Sequence, residues 1–357
     1  MKIANSTVVL ITILFFLASC KKNTISNQNF TKIEYTGTTN LSEAKNLEAS
    51  ASLGNKIFFA GGANAAYLKS VDIYDASSNT WSTAQLSVIR ALLTASSAGD
   101  KVLFAGGFNG GWLNTVDIYN NSTNSWSTGQ LSVGRSWLAS ASSGNKIVIG
   151  GGTAAGTPSK VVDIYDITTN TWTTAQLSAA RFGLAAAAAG NKIVFAGGAT
   201  SFTTPSNAVD IYDITSGTWT TATLSVARYD LAAVSAGNKI YFAGGTSNLS
   251  TTYFKTIDIY DVSTNTWTTS QLSAERSSLA AAALQNKVVF AGGISAAGVS
   301  KVVDVFDISN NSWSTMQLSN ARYELQGAAA GNKILFAGGI SGANTFFNTV
   351  DVFTLSK

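Results

Sequence analysis

The sequence predicts an all-β fold built from seven like units. Three observations lead there. Paired glycines recur, ending at Gly62, Gly107, Gly152, Gly198, Gly245, Gly293 and Gly339, in steps of 45 to 48 residues. Each pair closes an apolar run and is followed by a VDIY-like segment holding Asp72, Asp117, Asp163, Asp210, Asp258, Asp304 or Asp351. In six of the units a tryptophan then stands nine residues beyond that aspartate (Trp81, Trp126, Trp172, Trp219, Trp267, Trp313). A period of this length means a solenoid, a propeller or an array, whose units cannot fold singly and make one domain together. The repeat therefore overrides the two or three domains that 357 residues would otherwise suggest.

Within a unit four short strands follow one another, A to D from the axis outward. Strand A is an Ala/Ser stretch such as Leu184 to Ala189. Small side chains suit the crowded inner position. A two-residue Gly-Asn turn, Gly190-Asn191 in the fourth unit and Gly99-Asp100 in the second, leads back into strand B. Strand B, KIVFAGG, is apolar and β-branched, as a strand between two neighbours should be. Strand C is VDIYD, with alternating apolar residues. Strand D starts at the tryptophan, and its alternating Thr and Ser fit a half-exposed outer strand. Two positions before each tryptophan stands Asn79, Asn124, Asn170, Gly217, Asn265 or Asn311. Only Asn and Gly appear there, the residues that tolerate a left-handed backbone, so one turn geometry is expected throughout.

A strand ending in Gly-Gly, then V-D-x-Y, then the tryptophan and then an arginine resembles the kelch repeat, almost continuously over residues 41–357. WD40 repeats fit poorly, since they carry a Trp-Asp pair and usually a histidine. The resemblance implies a seven-bladed β-propeller of four-stranded blades. Closure is read from the ends. The last unit stops at Val350-Asp351-Val352-Phe353 without a tryptophan strand, while Phe30 to Gly37 precedes the first. The amino-terminal strand is therefore expected to be the missing strand D of the seventh blade, leaving no open edge.

Before the repeats, Lys2 and the apolar run Val8 to Ala18 have the proportions of a secretory signal. Leu17-Ala18-Ser19-Cys20 resembles a bacterial lipobox, which implies cleavage before Cys20 and a lipid on its sulfur. The expected organisation is a signal peptide at 1–19, a lipidated tether at 20–29 and the propeller at 30–357. Such a protein is exported and anchored in the cell envelope, in the outer membrane. Cys20 is the only cysteine and there is no histidine. That excludes a disulfide, a thiol nucleophile elsewhere, a Ser-His-Asp triad and a His/Cys metal site, including the copper centre of the galactose-oxidase branch of this fold. No cofactor is expected. A net charge of +4, with no basic run beyond Lys21-Lys22, gives no reason to expect nucleic acid. A monomer is expected.

Antiparallel order places the D-to-A and B-to-C loops on one face. The D-to-A loops carry Lys45, Arg90, Arg135, Arg181, Arg228, Arg276 and Arg322, one cation per unit. Beside them the residues vary: Trp137, Phe182, Tyr229 with Asp230, and Tyr323 with Glu324. The B-to-C loops add Trp112 and further aromatics, among them Tyr67, Phe108 and Phe202. A residue kept in every unit serves the scaffold, and one that differs is free to serve a ligand. The resemblance implies that this face takes the ligand, with the arginines available to anionic groups. The alternative for each guanidinium is bonding to backbone carbonyls of a neighbouring blade. The expected partner is an acidic saccharide or a protein segment, held by the six arginines with Trp112, Trp137, Phe182, Tyr229 and Tyr323. Asp230, Glu275 and Glu324, with Glu43 and Glu48, fall in consecutive units, and an acid beside an arginine can transfer protons. Sialic-acid mutarotases occur among similar envelope propellers, so a sugar mutarotase or epimerase is the second expectation. A structural or adhesive envelope part is the third. The variable aromatics favour binding, without catalysis, as the first.

Overall fold

The computed structural model of the chain describes residues 30–247 and 251–357. The signal sequence, Cys20 and the tether lie outside the described residues. Seven four-stranded antiparallel sheets form the blades of a propeller, and each of the first six is built from consecutive strands in the order A-B-C-D. Blade four is representative, with strands at Ala185–Ala189, Lys192–Ala196, Ala208–Asp213 and Thr218–Thr223. Its inner strand is all alanine and its second strand is buried on both sides. The outer strand is exposed apart from the half-buried Trp219 and Ala222, as suits a strand at the edge of its sheet.

The core lies between blades rather than within them. Between blades two and three, Leu103, Ala105, Val116 and Ile118 meet Leu138, Ile147, Ile149 and Tyr165, with Trp172 packed on the edge. Each such aliphatic side chain taken out of water contributes about 1.5–3 kcal/mol. Trp172 stands opposite Tyr165 across strands C and D, with ring centroids 4.8 Å apart. The Asn two residues before each tryptophan has φ between 50 and 58°, and Gly217 has 70°. The tyrosine of VDIY locks that turn, Tyr165 Oη donating to Asn170 Oδ1 at 2.8 Å.

The ring closes as the sequence predicts. Lys32–Asn40 pairs antiparallel with Thr349–Ser356, Tyr35 opposite Phe353 and Asn40 opposite Thr349, with a bulge at Thr36. Trp81 of blade one then donates Nε1–H to Thr39 Oγ1 at 3.0 Å, so both ends of the chain are held in one seam. Glycine pairs secure every seam. The N–H of the second glycine donates to the carbonyl of the next blade's D-to-A cation, as Gly107 does to Arg135 at 2.8 Å and Gly339 to Lys45 at 2.8 Å. A Cβ on Gly106 would lie 2.5 Å from that same Arg135 carbonyl, and its φ of +65° is left-handed as well. Only glycine lets the two backbones approach this closely. One feature escaped the sequence reading: the B-to-C loops of blades three to six rise into short two-stranded ribbons, such as Thr153–Ala154 with Thr157–Pro158.

Candidate functional site

Four consecutive residues of each D-to-A loop build the ligand face. The first is the cation. The structure places all six arginines inside the blades, at 0 to 1% exposure. Arg135 donates through Nη1 to the carbonyls of Gly151 (2.8 Å) and Val161 (2.6 Å), and through Nη2 to Asp163. Arg90 pairs with Asp117 at 2.6 Å, Arg228 with Asp258 at 2.7 Å and Arg322 with Asp351 at 2.5 Å. Arg181 and Arg276 pair in the same way with Asp210 and Asp304, and Lys45 with Asp72 at 2.7 Å. The other oxygen of each aspartate accepts the backbone N–H of a loop serine, as Asp117 Oδ1 does from Ser87 at 2.9 Å. Each cation and its VDIY aspartate thus fasten a D-to-A loop to its own blade. The expectation that Arg90, Arg135, Arg181, Arg228, Arg276 and Arg322 present charge to an anionic ligand is corrected: the aspartates neutralise them and the loops seal them in.

The residue after the cation bridges to the residue following the glycine pair of its own blade, Phe182 with Ala199 and Tyr229 with Thr246. The next residue is left-handed in every blade: Leu47, Leu92, Trp137, Gly183, Asp230, Ser278 and Glu324, with φ of 51 to 59°. These seven form a collar round the axis. Leu92 N donates to Leu47 O (3.1 Å), Trp137 N to Leu92 O (3.1 Å) and Gly183 N to Trp137 O (3.3 Å). Asp230 N donates to Gly183 O (3.0 Å), Ser278 N to Asp230 O (3.0 Å) and Glu324 N to Ser278 O (2.9 Å). Because the backbone carries the collar, the side chains are free to differ.

On one side of the collar the side chains make an aromatic cleft of about 380 Å³ above blades two to four. Phe108 and Trp112 form one wall, and Trp137, Phe182 and Phe202 the other, with Thr153 and Pro158 between. Trp112 is 38% exposed, Trp137 36% and Phe202 53%. Trp137 stacks on Phe182 at 5.3 Å, and Phe202 closes on Phe182 at 4.9 Å. Trp112 Nε1–H donates to Thr153 Oγ1 at 3.2 Å, which fixes its ring. Among the described residues no charged side chain lines the cleft. Of the expected aromatics, Trp112, Trp137 and Phe182 therefore come together. Tyr229 lies buried beside Phe182, and Tyr323 sits away from the cleft, bridged to Ile340 in blade seven.

The opposite side of the collar is acidic. Asp230 is exposed at the axial mouth, in a space it shares with Leu47, Leu92, Trp137 and Leu231. The resulting loss of solvation, with the charge of Glu324 second, pushes its carboxyl up to about 7. Desolvation also raises Glu324, whose Oε2 accepts Asn46 Nδ2–H at 2.6 Å. Glu275 stays on the exposed loop surface and joins neither. A proton-transfer sector needs each acid beside a free arginine, and the arginines are sealed away. What remains is a pair of carboxyls able to hold a cation or to exchange protons. The reading of the residues passed over Leu47, Leu92 and Ser278. Their signal was positional: each stands two residues after the cation.

Comparison with known families gives two matches. The model described as the KLHDC2/KLHL20/DRC7 Kelch-repeats domain matches residues 93–273 and 183–357, which together span 93–357. The model described as the Kelch motif matches residues 49–85. No curated protein matches the chain.

Proposed function

The chain belongs to the kelch-repeat family of β-propellers, and from that premise we propose that it is a binding protein whose aromatic cleft holds a neutral, flat-faced group, the pyranose ring of a glycan. One observation carries the reading: three aromatic rings stand exposed around a cleft that has no charged lining residue among the described residues. Exposed aromatic clusters mark binding surfaces rather than scaffold. A sugar offers apolar C–H faces to such rings and hydroxyls to polar groups at their edges, here Ser136, Thr153, Thr200 and Ser201. The absence of charge in the lining points to a neutral ring and not to the acidic saccharide that a free cation ring would have favoured.

A glycan array probed with the protein tests this. A neutral saccharide should bind equally at low and high salt, because no ion pair is made, and Trp112→Ala with Phe202→Ala should remove the signal while the fold persists. Binding confined to acidic glycans, or unaffected by that double substitution, sinks the reading. We further propose that the propeller works at the envelope surface, held by lipid on Cys20. Stable anchoring takes more than one acyl chain, each buried methylene adding about 0.8 kcal/mol. Cys20→Ala should then move the folded protein from the membrane fraction to the soluble one, or leave its signal uncleaved.

A further inference from the structure

We propose that the axial mouth beside the aromatic cleft is a subsite for a primary ammonium on an apolar stem. The repeat exposes the anomaly that points there. Three residues after the cation, six units place a leucine, buried against the first glycine of the preceding blade's pair and the second glycine of its own. The first unit places Glu48. It is 2% exposed, and among the described residues neither carboxylate oxygen has a hydrogen-bond partner. A lone buried carboxylate in a leucine position is costly, and the six sister units show that the scaffold does not need it. Glu48 lines the same axial space as Asp230 and Gln326, and a second lobe adds Glu324 and Ser278. The lobes, about 190 and 200 Å³, share Leu47, Leu92, Trp137, Asp230, Leu231 and Gln326 and so make one mouth.

The chemistry of this mouth is divided. One half is apolar, with Leu47, Leu92 and the ring of Trp137. The other holds Glu48, Asp230 and Glu324, carboxyls that are acceptor-only once ionised. The nearest cations, Lys45 and Arg322, are already committed to Asp72 and Asp351. An ammonium has three N–H donors and no acceptor, matching carboxylates that lack donors. Its stem would lie along the leucines, and Trp137 offers a cation–π face. Among the described residues no group of three acids closes tightly enough to hold a metal ion.

Protonation couples to such binding. Desolvation holds Glu48 up at about 8, against the lowering pull of Lys45 and Arg322 and with a smaller raising contribution from Glu324. Asp230 stands at about 7, and Tyr323 beside Glu324 is itself raised. A bound cation drives protons off these carboxyls, whereas a primary amine stays charged to about pH 10. Affinity for the amine should therefore rise with pH between 6 and 8.5.

The test is calorimetric titration of the intact protein with n-pentylammonium, with n-pentanol as the neutral control. The amine should bind at least about tenfold tighter at pH 8.5 than at pH 6, and the alcohol should not compete with it. Asp230→Asn with Glu324→Gln should abolish binding. Asn tolerates the left-handed backbone at 230, so that variant keeps the collar. If it nevertheless fails to fold, the pH dependence and the alcohol control decide in the wild type. Equal binding of amine and alcohol, affinity that does not rise with pH, or retention of binding in the folded double variant overturns the proposal. Nα-acetyl-lysine methylamide and cadaverine separate the sources: tighter binding of the first assigns the ammonium to a protein side chain, of the second to a free amine. Saccharide binding in the cleft is read separately, so the two proposals fail independently.

Discussion

Replacing Glu48 by leucine should stabilise the protein, and by an amount that depends on pH. The other six blades carry leucine here, so the variant completes the seventh interblade seam instead of overpacking it. In the unfolded chain the carboxyl titrates near 4.5, and in the folded protein burial moves it to about 8. Between those values the native state binds more protons than the unfolded one, so stability falls as pH rises through that window. Below pH 4.5 the carboxyl is neutral in both states and contributes no slope. Above pH 8 it is charged in both, and the folded state has lost on the order of 5 kcal/mol relative to acid conditions. Urea denaturation of wild type, Glu48→Leu and Glu48→Gln from pH 4 to 9 reads this directly. Asp230 and Glu324 titrate in all three proteins, so the difference between curves reports position 48 together with its coupling to Glu324. Glu48→Gln should remove the same slope without adding apolar packing, which separates ionisation from shape. Curves that run parallel for wild type and both variants would refute the argument, because a carboxyl with the same proton affinity in both states cannot be buried in a leucine site.

Three further outcomes follow from the geometry. Gly106→Ala puts a methyl 2.5 Å from the Arg135 carbonyl at a left-handed φ, whereas Gly111→Ala meets nothing within 4 Å. Thermal denaturation should show the first costing more than about 3 kcal/mol and the second within about 0.5 kcal/mol of wild type. Arg181→Ala strands Asp210 inside blade four, so it should cost about 3–5 kcal/mol in denaturant titrations, with any loss of binding tracking loss of fold. Trp172→Ala removes a ring packed between blades and should cost up to about 3–5 kcal/mol, while Trp112→Ala, at an exposed ring, should leave the melting temperature nearly unchanged and weaken saccharide binding.

The fold was legible because its determinants are local and repeated. Asn or Gly before each tryptophan predicted a left-handed turn, and the φ values bear it out. The orphaned strand at Phe30 to Gly37 predicted closure, and Tyr35 does face Phe353. The ribbons of the B-to-C loops were not legible. They rest on two-residue pairings such as Thr246–Ser247 with Thr252–Tyr253, which no hydrophobic periodicity announces.

The site was half legible, and the misreading of the arginines shows why. Repetition marks scaffold, yet the arginines recur as regularly as the aspartates, one of each per unit with Lys45 standing in once. Equal numbers of opposite charges in fixed register are what buried ion pairs require, since a buried guanidinium without its carboxylate would be strongly destabilising. The same rule applied to the three positions after the cation separates the functions cleanly. At the first, side chains bridge the loops. At the second, the collar backbone is constant while Leu92, Trp137, Asp230 and Glu324 all stand on it. At the third, six leucines seal the seams and Glu48 departs from them. A backbone that hydrogen-bonds from Leu47 through to Glu324 round the axis makes the side chains above it replaceable one at a time. Aromatic residues could therefore gather over blades two to four, and carboxyls over blades five, seven and one, without disturbing the ring that holds both.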